Sequence, residues 1–258
     1  MDKKIKAMKK IYTLLIIAIL TLSISCSQDS SNNDVSSNQS ADGMGGSLAT
    51  FILKDAYLYT VDFFKLTVFN IADTKNPVKV NTIDVGFNIE TLFSFDNYLF
   101  IGSQNAMFIY DITNKELPKK LAQSNHFTSC DPVVANGTNA YVTLHTNSNC
   151  QGAVNELKTY DITDIKNPIL LNNRNLTQPK GLSLYADNYL LVCDDSVKIF
   201  DISNPKDSKY ITEIPTTNAT DIIIRNNHAF IISENSIDQY QLDATNISKF
   251  TKISTFNF

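Results

Sequence analysis

The chain has little of what marks an enzyme or a nucleic-acid binder. It holds three histidines in 258 residues. No GxSxG, HExxH, phosphate-loop or dinucleotide fingerprint stands anywhere in it, so the common nucleophile–base and metalloprotease constellations are missing. Basic residues cluster only in the first ten positions, and the formal net charge is −4. An acidic remainder without a basic stripe excludes nucleic acid as the expected partner. The longest apolar run, residues 11–22, is shorter than the roughly 20 residues a stable membrane span needs. No segment carries a helical period. Charged residues make up 19% against 43% hydrophobic, which excludes a disordered acidic chain and leaves a foldable core.

What is present is a repeat. Three or four strand-forming residues, an aromatic, usually Asp, then Ile and a hydroxyl residue occur at 66–72 (LTVFNIA), 107–113 (MFIYDIT), 157–163 (LKTYDIT), 197–203 (VKIFDIS) and 237–243 (IDQYQLD). Landmarks Ile71, Ile112, Ile162, Ile202 and Leu242 are spaced by 41, 50, 40 and 40 residues. Around each lie an apolar strand, an Asp/Asn turn, a second strand, the motif strand and a last strand after a turn. Pro77, Pro118 and Pro168 sit in three of those last turns, where proline stops one strand and aims the next. Four short antiparallel strands per unit of about 40 residues describe a propeller blade. The expectation is therefore an all-β fold, a five-bladed β-propeller over residues 48–258, with repeats at 48–85, 86–125, 126–176, 177–216 and 217–258. A β-sandwich is the weaker alternative, since it needs no strict period. The repeated Asp111, Asp161 and Asp201 read as acceptors for turn amides, not as ligands.

Residues 1–25 have the layout of an export signal: a lysine-rich start, a short apolar stretch and small residues before Cys26. The segment resembles a bacterial lipoprotein signal peptide, with Ser23 where that family prefers Leu. The resemblance implies lipidation of Cys26 and a membrane partner through the lipid anchor. Residues 26–47 then read as a flexible Ser/Asn-rich tether. Together these imply an exported envelope protein, at the outer membrane or cell surface more than the inner membrane.

The runs IYDITNKELPKKL, TYDITDIKNPILL and IFDISNPKDSKYI resemble the LVIVD repeat of exported bacterial and archaeal proteins. Asn70 and Gln241 replace the Asp in the first and last copies. The family implies a propeller without assigned chemistry.

Function is expected where the repeats differ. The third is about ten residues longer, and the excess falls between its second and third strands, at about 146–155. Cys150 lies in that loop and Cys130 in the connection before the same blade. An exported pair of this kind suits a disulfide; the alternative is zinc held with His126 and His145. Counting eight residues back from each second strand aligns Leu48, Glu90, Asp131, Gly181 and Asp221. Glu90, Asp131 and Asp221 would then ring the channel mouth, as a solvated rim or as a site for Ca²⁺ or a cationic ligand. Phe87 and Phe127, on connections of the same face, are with His126 and His145 candidate contacts for a protein or glycan partner; the two phenylalanines could otherwise fill the space between blades. A membrane-tethered binding module is the expected function. A hydrolase or lyase using the channel-mouth carboxylates, or a structural envelope component, are the alternatives.

Overall fold

A computed structural model describes residues 46–126, 132–146 and 154–258. The described residues form five four-stranded antiparallel sheets, each from one continuous stretch. The chain is a five-bladed β-propeller. Blade 1 contains β1 (Phe51–Lys54), β2 (Tyr57–Val61), β3 (Lys65–Asn70) and β4 (Val78–Asp84). Blade 2 contains β5 (Ile89–Phe95), β6 (Tyr98–Ser103), β7 (Ala106–Asp111) and β8 (Lys119–Asn125). Blade 3 contains β9 (Val133–Ala135), β10 (Asn139–Leu144), β11 (Glu156–Asp161) and β12 (Ile169–Asn175). Blade 4 contains β13 (Leu182–Tyr185), β14 (Tyr189–Cys193), β15 (Val197–Asp201) and β16 (Lys209–Ile214). Blade 5 contains β17 (Ala219–Arg225), β18 (His228–Ser233), β19 (Ser236–Leu242) and β20 (Phe250–Asn257).

The recurring motif is scaffold. In every blade the third and fourth strands shift register just before the motif aromatic: Val68/Phe69, Ile109/Tyr110, Thr159/Tyr160, Ile199/Phe200 and Gln239/Tyr240. Such a bulge increases the local twist and bends the strand. The following Asp then closes the turn, its Oδ1 accepting the amide two residues on: Asp111 from Thr113 at 2.7 Å, Asp161 from Thr163 and Asp201 from Ser203 at 2.8 Å. The landmark residue donates its own amide to the opposite turn, as Ile112 does to the Asn97 carbonyl and Ile202 to Asn188. In blades 2 to 5 its side chain packs against the preceding blade.

Because side chains alternate across a pleated strand, each sheet has two apolar faces. They are buried only against neighbouring blades. Ile52, Tyr59 and Leu66 of blade 1 meet Leu92, Ile101 and Phe108 of blade 2. Phe100, Met107 and Ile109 then meet Val133, Val142 and Tyr160. Val134, Tyr141 and Leu157 meet Leu182, Val192 and Phe200. Leu191, Val197 and Ile199 meet Ile222, Ile231 and Tyr240. Among the described residues the corresponding cluster between blades 5 and 1 is absent. Phe51 occupies the register position of Leu92, Val133, Leu182 and Ile222, all of them 0% exposed, yet it is 58% exposed.

The strand expected from Leu48 begins instead at Phe51, since residues 46–48 form a turn held by blade 5. His228, expected in a turn, opens β18; the turn is Asn226–Asn227, both with positive φ (49° and 60°). Asparagine tolerates that region better than most residues.

Replacing Asp201 by Ala removes the turn acceptor and is expected to lower Tm by roughly 2–4 °C at neutral pH. Asp201→Asn, which keeps an acceptor oxygen, costs less. The hydrogen bonds from Ser203 hold the Asp201 carboxyl below its ordinary 3.8. The stabilisation is thus present above that pH and lost as pH falls below it. Thermal melts of all three proteins from neutral to acid pH should show the gap between wild type and D201A narrowing.

Candidate functional site

The turns between second and third strands and the connections between blades emerge on one face. In blade 1 that turn is Asp62–Lys65, and its chemistry is distinctive. The Asp62 carboxylate accepts the amides of Phe64 (3.1 Å) and Lys65 (2.9 Å), while the Asp62 amide donates to the Lys65 carbonyl at 3.0 Å. The Phe63 carbonyl accepts from Ile89 N (3.1 Å) and the Phe64 carbonyl from Val85 N (2.9 Å). The turn is therefore pinned to the connection leading into blade 2, which carries Phe87. The Phe64 ring lies 5.6 Å from Phe87 and 6.4 Å from Phe63. The three rings are 67%, 49% and 59% exposed for Phe63, Phe64 and Phe87. Single exposed apolar side chains are ordinary, but a cluster on a rigid frame is characteristic of contact surfaces. Phe87 thus belongs to an exposed cluster and not to a blade interface. Phe63 and Phe64 were not singled out from sequence. The available signal was two phenylalanines in a turn that other blades fill with Gln104–Asn105, Asp194–Asp195 or Glu234–Asn235.

Beside the cluster, Asn88 adopts φ 49° and donates from Nδ2 to Gln104 Oε1 at 2.6 Å; Gln104 Nε2 donates to Glu90 Oε1 at 3.1 Å. Glu90 is bound into a side-chain network of its own blade.

The register separates the acidic column. Glu90 is the bulged residue between Ile89 and Thr91, and its counterpart in β17 is Thr220, bulged between Ala219 and Asp221. Asp221 stands opposite Ile232, as Thr91 stands opposite Gly102. Because His228 belongs to β18, the residue of blade 5 that aligns with Glu90 is Thr220, one position before Asp221. Asp221 itself is 8% exposed and engaged. Its Oδ1 accepts Ser47 Oγ at 3.1 Å and the Ile222 amide at 2.9 Å, and its Oδ2 accepts the Leu48 amide at 3.5 Å. Ser47 Oγ in turn accepts the Leu182 amide at 2.8 Å. Residues entering blade 1 are thereby latched to blades 4 and 5. Burial pushes the Asp221 carboxyl up, partly offset by these hydrogen bonds. A side chain on Gly46 would run into the Asp221 carboxylate.

His145 is buried just after β10, and desolvation, helped by the Lys180 charge, lowers its pKa from 6.5. His126 donates its amide to the Asn105 carbonyl at 3.0 Å. Cys26, Phe127, Cys130, Asp131 and Cys150 lie outside the described residues, and with them the disulfide and zinc expectations. Among the described residues no group of three or more His, Cys, Asp or Glu is placed to hold a metal ion. Cys193 is a buried free thiol whose pKa burial pushes well up, so it packs as a small apolar residue.

Neither a family model nor a curated protein matches this chain. Solved structures do. A periplasmic gluconolactonase of Pseudomonas aeruginosa superposes with a TM-score of 0.62 at 13% identity, over 79% of this chain and 68% of that one. A protein from Lactobacillus plantarum gives 0.63 at 11% identity, over 80% and 67%. A hypothetical selenium-binding protein from Sulfolobus tokodaii gives 0.58 at 11% identity, over 79% and 59%. At such identities the likeness is one of fold alone.

Two stability experiments follow from this geometry. A Cβ on Gly181 would stand 2.7 Å from Asp221 Cα and 2.8 Å from the Thr220 carbonyl oxygen. Gly181→Ala is therefore expected to cost about 1–3 kcal/mol, read by chemical denaturation; an unchanged midpoint would contradict the close packing. His145, held neutral in the fold, takes up a proton more readily when unfolded. Stability is thus full above pH 6.5 and falls below it. His145→Asn should flatten that part of the Tm–pH profile, as read by thermal melts across that range.

Proposed function

We propose that this chain is an exported LVIVD-repeat lipoprotein, anchored through Cys26, whose propeller is a binding module for a protein partner. The observation that carries the reading is the aromatic cluster of Phe63, Phe64 and Phe87, exposed yet fixed by backbone hydrogen bonds. A turn whose backbone is already held in place loses little conformational freedom when a partner covers its rings. Bare phenyl rings offer apolar area without the hydroxyl or N–H handle of Tyr or Trp, which favours a protein surface over a glycan. The lysine-rich start, short apolar stretch and Cys26 support export to the outer membrane or cell surface. Of the tether expected over 26–47, Ser47 is instead bound to Asp221 of blade 5, which leaves residues 26–45, rich in Ser, Asn and Asp, as the tether.

A bridge between Cys130 and Cys150 would fasten the long blade-3 loop on the same face, and calcium at the channel mouth would have to use Glu90 and Asp131 without Asp221. The hydrolase alternative is weakened because Asp221 is taken up by the Ser47 latch. A structural role in an envelope assembly remains the other alternative.

The decisive test is capture from envelope extracts with wild type and a Phe63→Ser/Phe64→Ser double variant. Both positions are exposed, so the variant should melt as wild type does while losing its specific partner by at least tenfold in Kd, about 1.4 kcal/mol. Retention of every partner at unchanged affinity would reject this face. Fatty-acid labelling that marks wild type but not Cys26→Ala is expected in parallel.

A further inference from the structure

Among the described residues the boundary between blades 5 and 1 carries apolar faces like those of the other four, and nothing covers them. On blade 1 the exposed side consists of Phe51, Phe69 and Ile71. Phe69 is only partly buried, whereas its register counterparts Tyr110, Tyr160, Phe200 and Tyr240 are 2%, 3%, 1% and 6% exposed. Ile71 is likewise partly open where Ile112, Ile162, Ile202 and Leu242 are buried. On blade 5 the uncovered side carries Phe230, Ile253 and Phe256. Phe230 is partly exposed, while Tyr59, Phe100, Tyr141 and Leu191 at its position are buried. Phe256, facing Ile237, is 64% exposed; Ile214, facing Val197 in blade 4, is 0% exposed. Ile253 is 49% exposed where Ile211 packs against the core.

From these matched positions we infer that the open boundary is an interface between copies of this chain, blade 5 of one packing against blade 1 of the next. The two faces are chemical mates. In each of the four sealed boundaries a face of the Phe230 type meets a face of the Phe51 type, as Tyr59 and Leu66 meet Leu92 and Phe108. The described residues present one open face of each type, and a second copy supplies what each lacks. Residues 27–45 have only Val35, Ala41 and Met44 as apolar side chains, too few to cover either face. The Ser47–Asp221 latch ties the entrance of blade 1 to blade 5 without burying the faces. The inference is independent of the aromatic cluster around Phe63.

Association through two different faces is head-to-tail and grows with concentration. It is tested on the full chain in mild detergent by light scattering across the micromolar range. Wild type should form dimers and larger species. Phe51→Arg disables one face and Phe256→Arg the other; both sites are exposed, so both variants should fold. Each variant alone should be monomeric, and an equal mixture should recover a dimer through the two intact faces. A monomeric wild type would overturn the inference, since the boundary would then close within one chain or receive a different partner. A mixture that stays monomeric, or single variants that still associate, would overturn it equally.

Discussion

The packing of one sheet face on the next governs this molecule. A four-stranded blade with apolar side chains on both sides has no inside of its own, so its stability is shared with its neighbours. Among the described residues the core is accordingly four separate clusters, each drawing on two adjacent blades. Burial of a Phe, Leu or Ile side chain contributes about 1.5–3 kcal/mol, and each boundary buries several. Among the described residues blades 1 and 5 gain it on one side only. Nearest-neighbour coupling of this kind also means that damage at one boundary spreads to two blades, not to the whole.

Much of this architecture was legible because the constraint acts on every repeat alike. Ile112, Ile162 and Ile202 must fill the same place, and Asp111, Asp161 and Asp201 must close the same turn, so the chain repeats itself visibly. The strands Ile89–Phe95, Leu182–Tyr185 and Lys209–Ile214 fall where alternation and turn chemistry put them. The open boundary was not legible. Phe51 and Phe256 look like every other apolar strand residue; only the arrangement of blades in space shows that none of the described residues covers them.

Less of the site was legible, and the reason differs from residue to residue. His228 looks like a turn residue after Asn227, yet it opens β18, and that single position moved Asp221 into a column with Glu90. A bulge at Glu90 leaves no mark in composition. The Asp221 latch depends on Ser47, 174 positions away, a separation that no local pattern bridges. Phe87 was identifiable on its connection, but its partners Phe63 and Phe64 resembled strand residues running into β3. Turns tolerate apolar residues only where something else compensates for their exposure, and here the carboxylate of Asp62 supplies the local order.

The latch at Asp221 has a mechanical side. A pull reaching the propeller along its N-terminal chain arrives first at Gly46, Ser47 and Leu48, before any ladder of β1. The load therefore falls on a few hydrogen bonds around one buried carboxylate, and through the Ser47 hydroxyl on the Leu182 amide of blade 4. Force is divided between two blades far along the chain, and the first strand is spared from being peeled outward. The latch thus serves as a strain relief between the leading chain and the sheets.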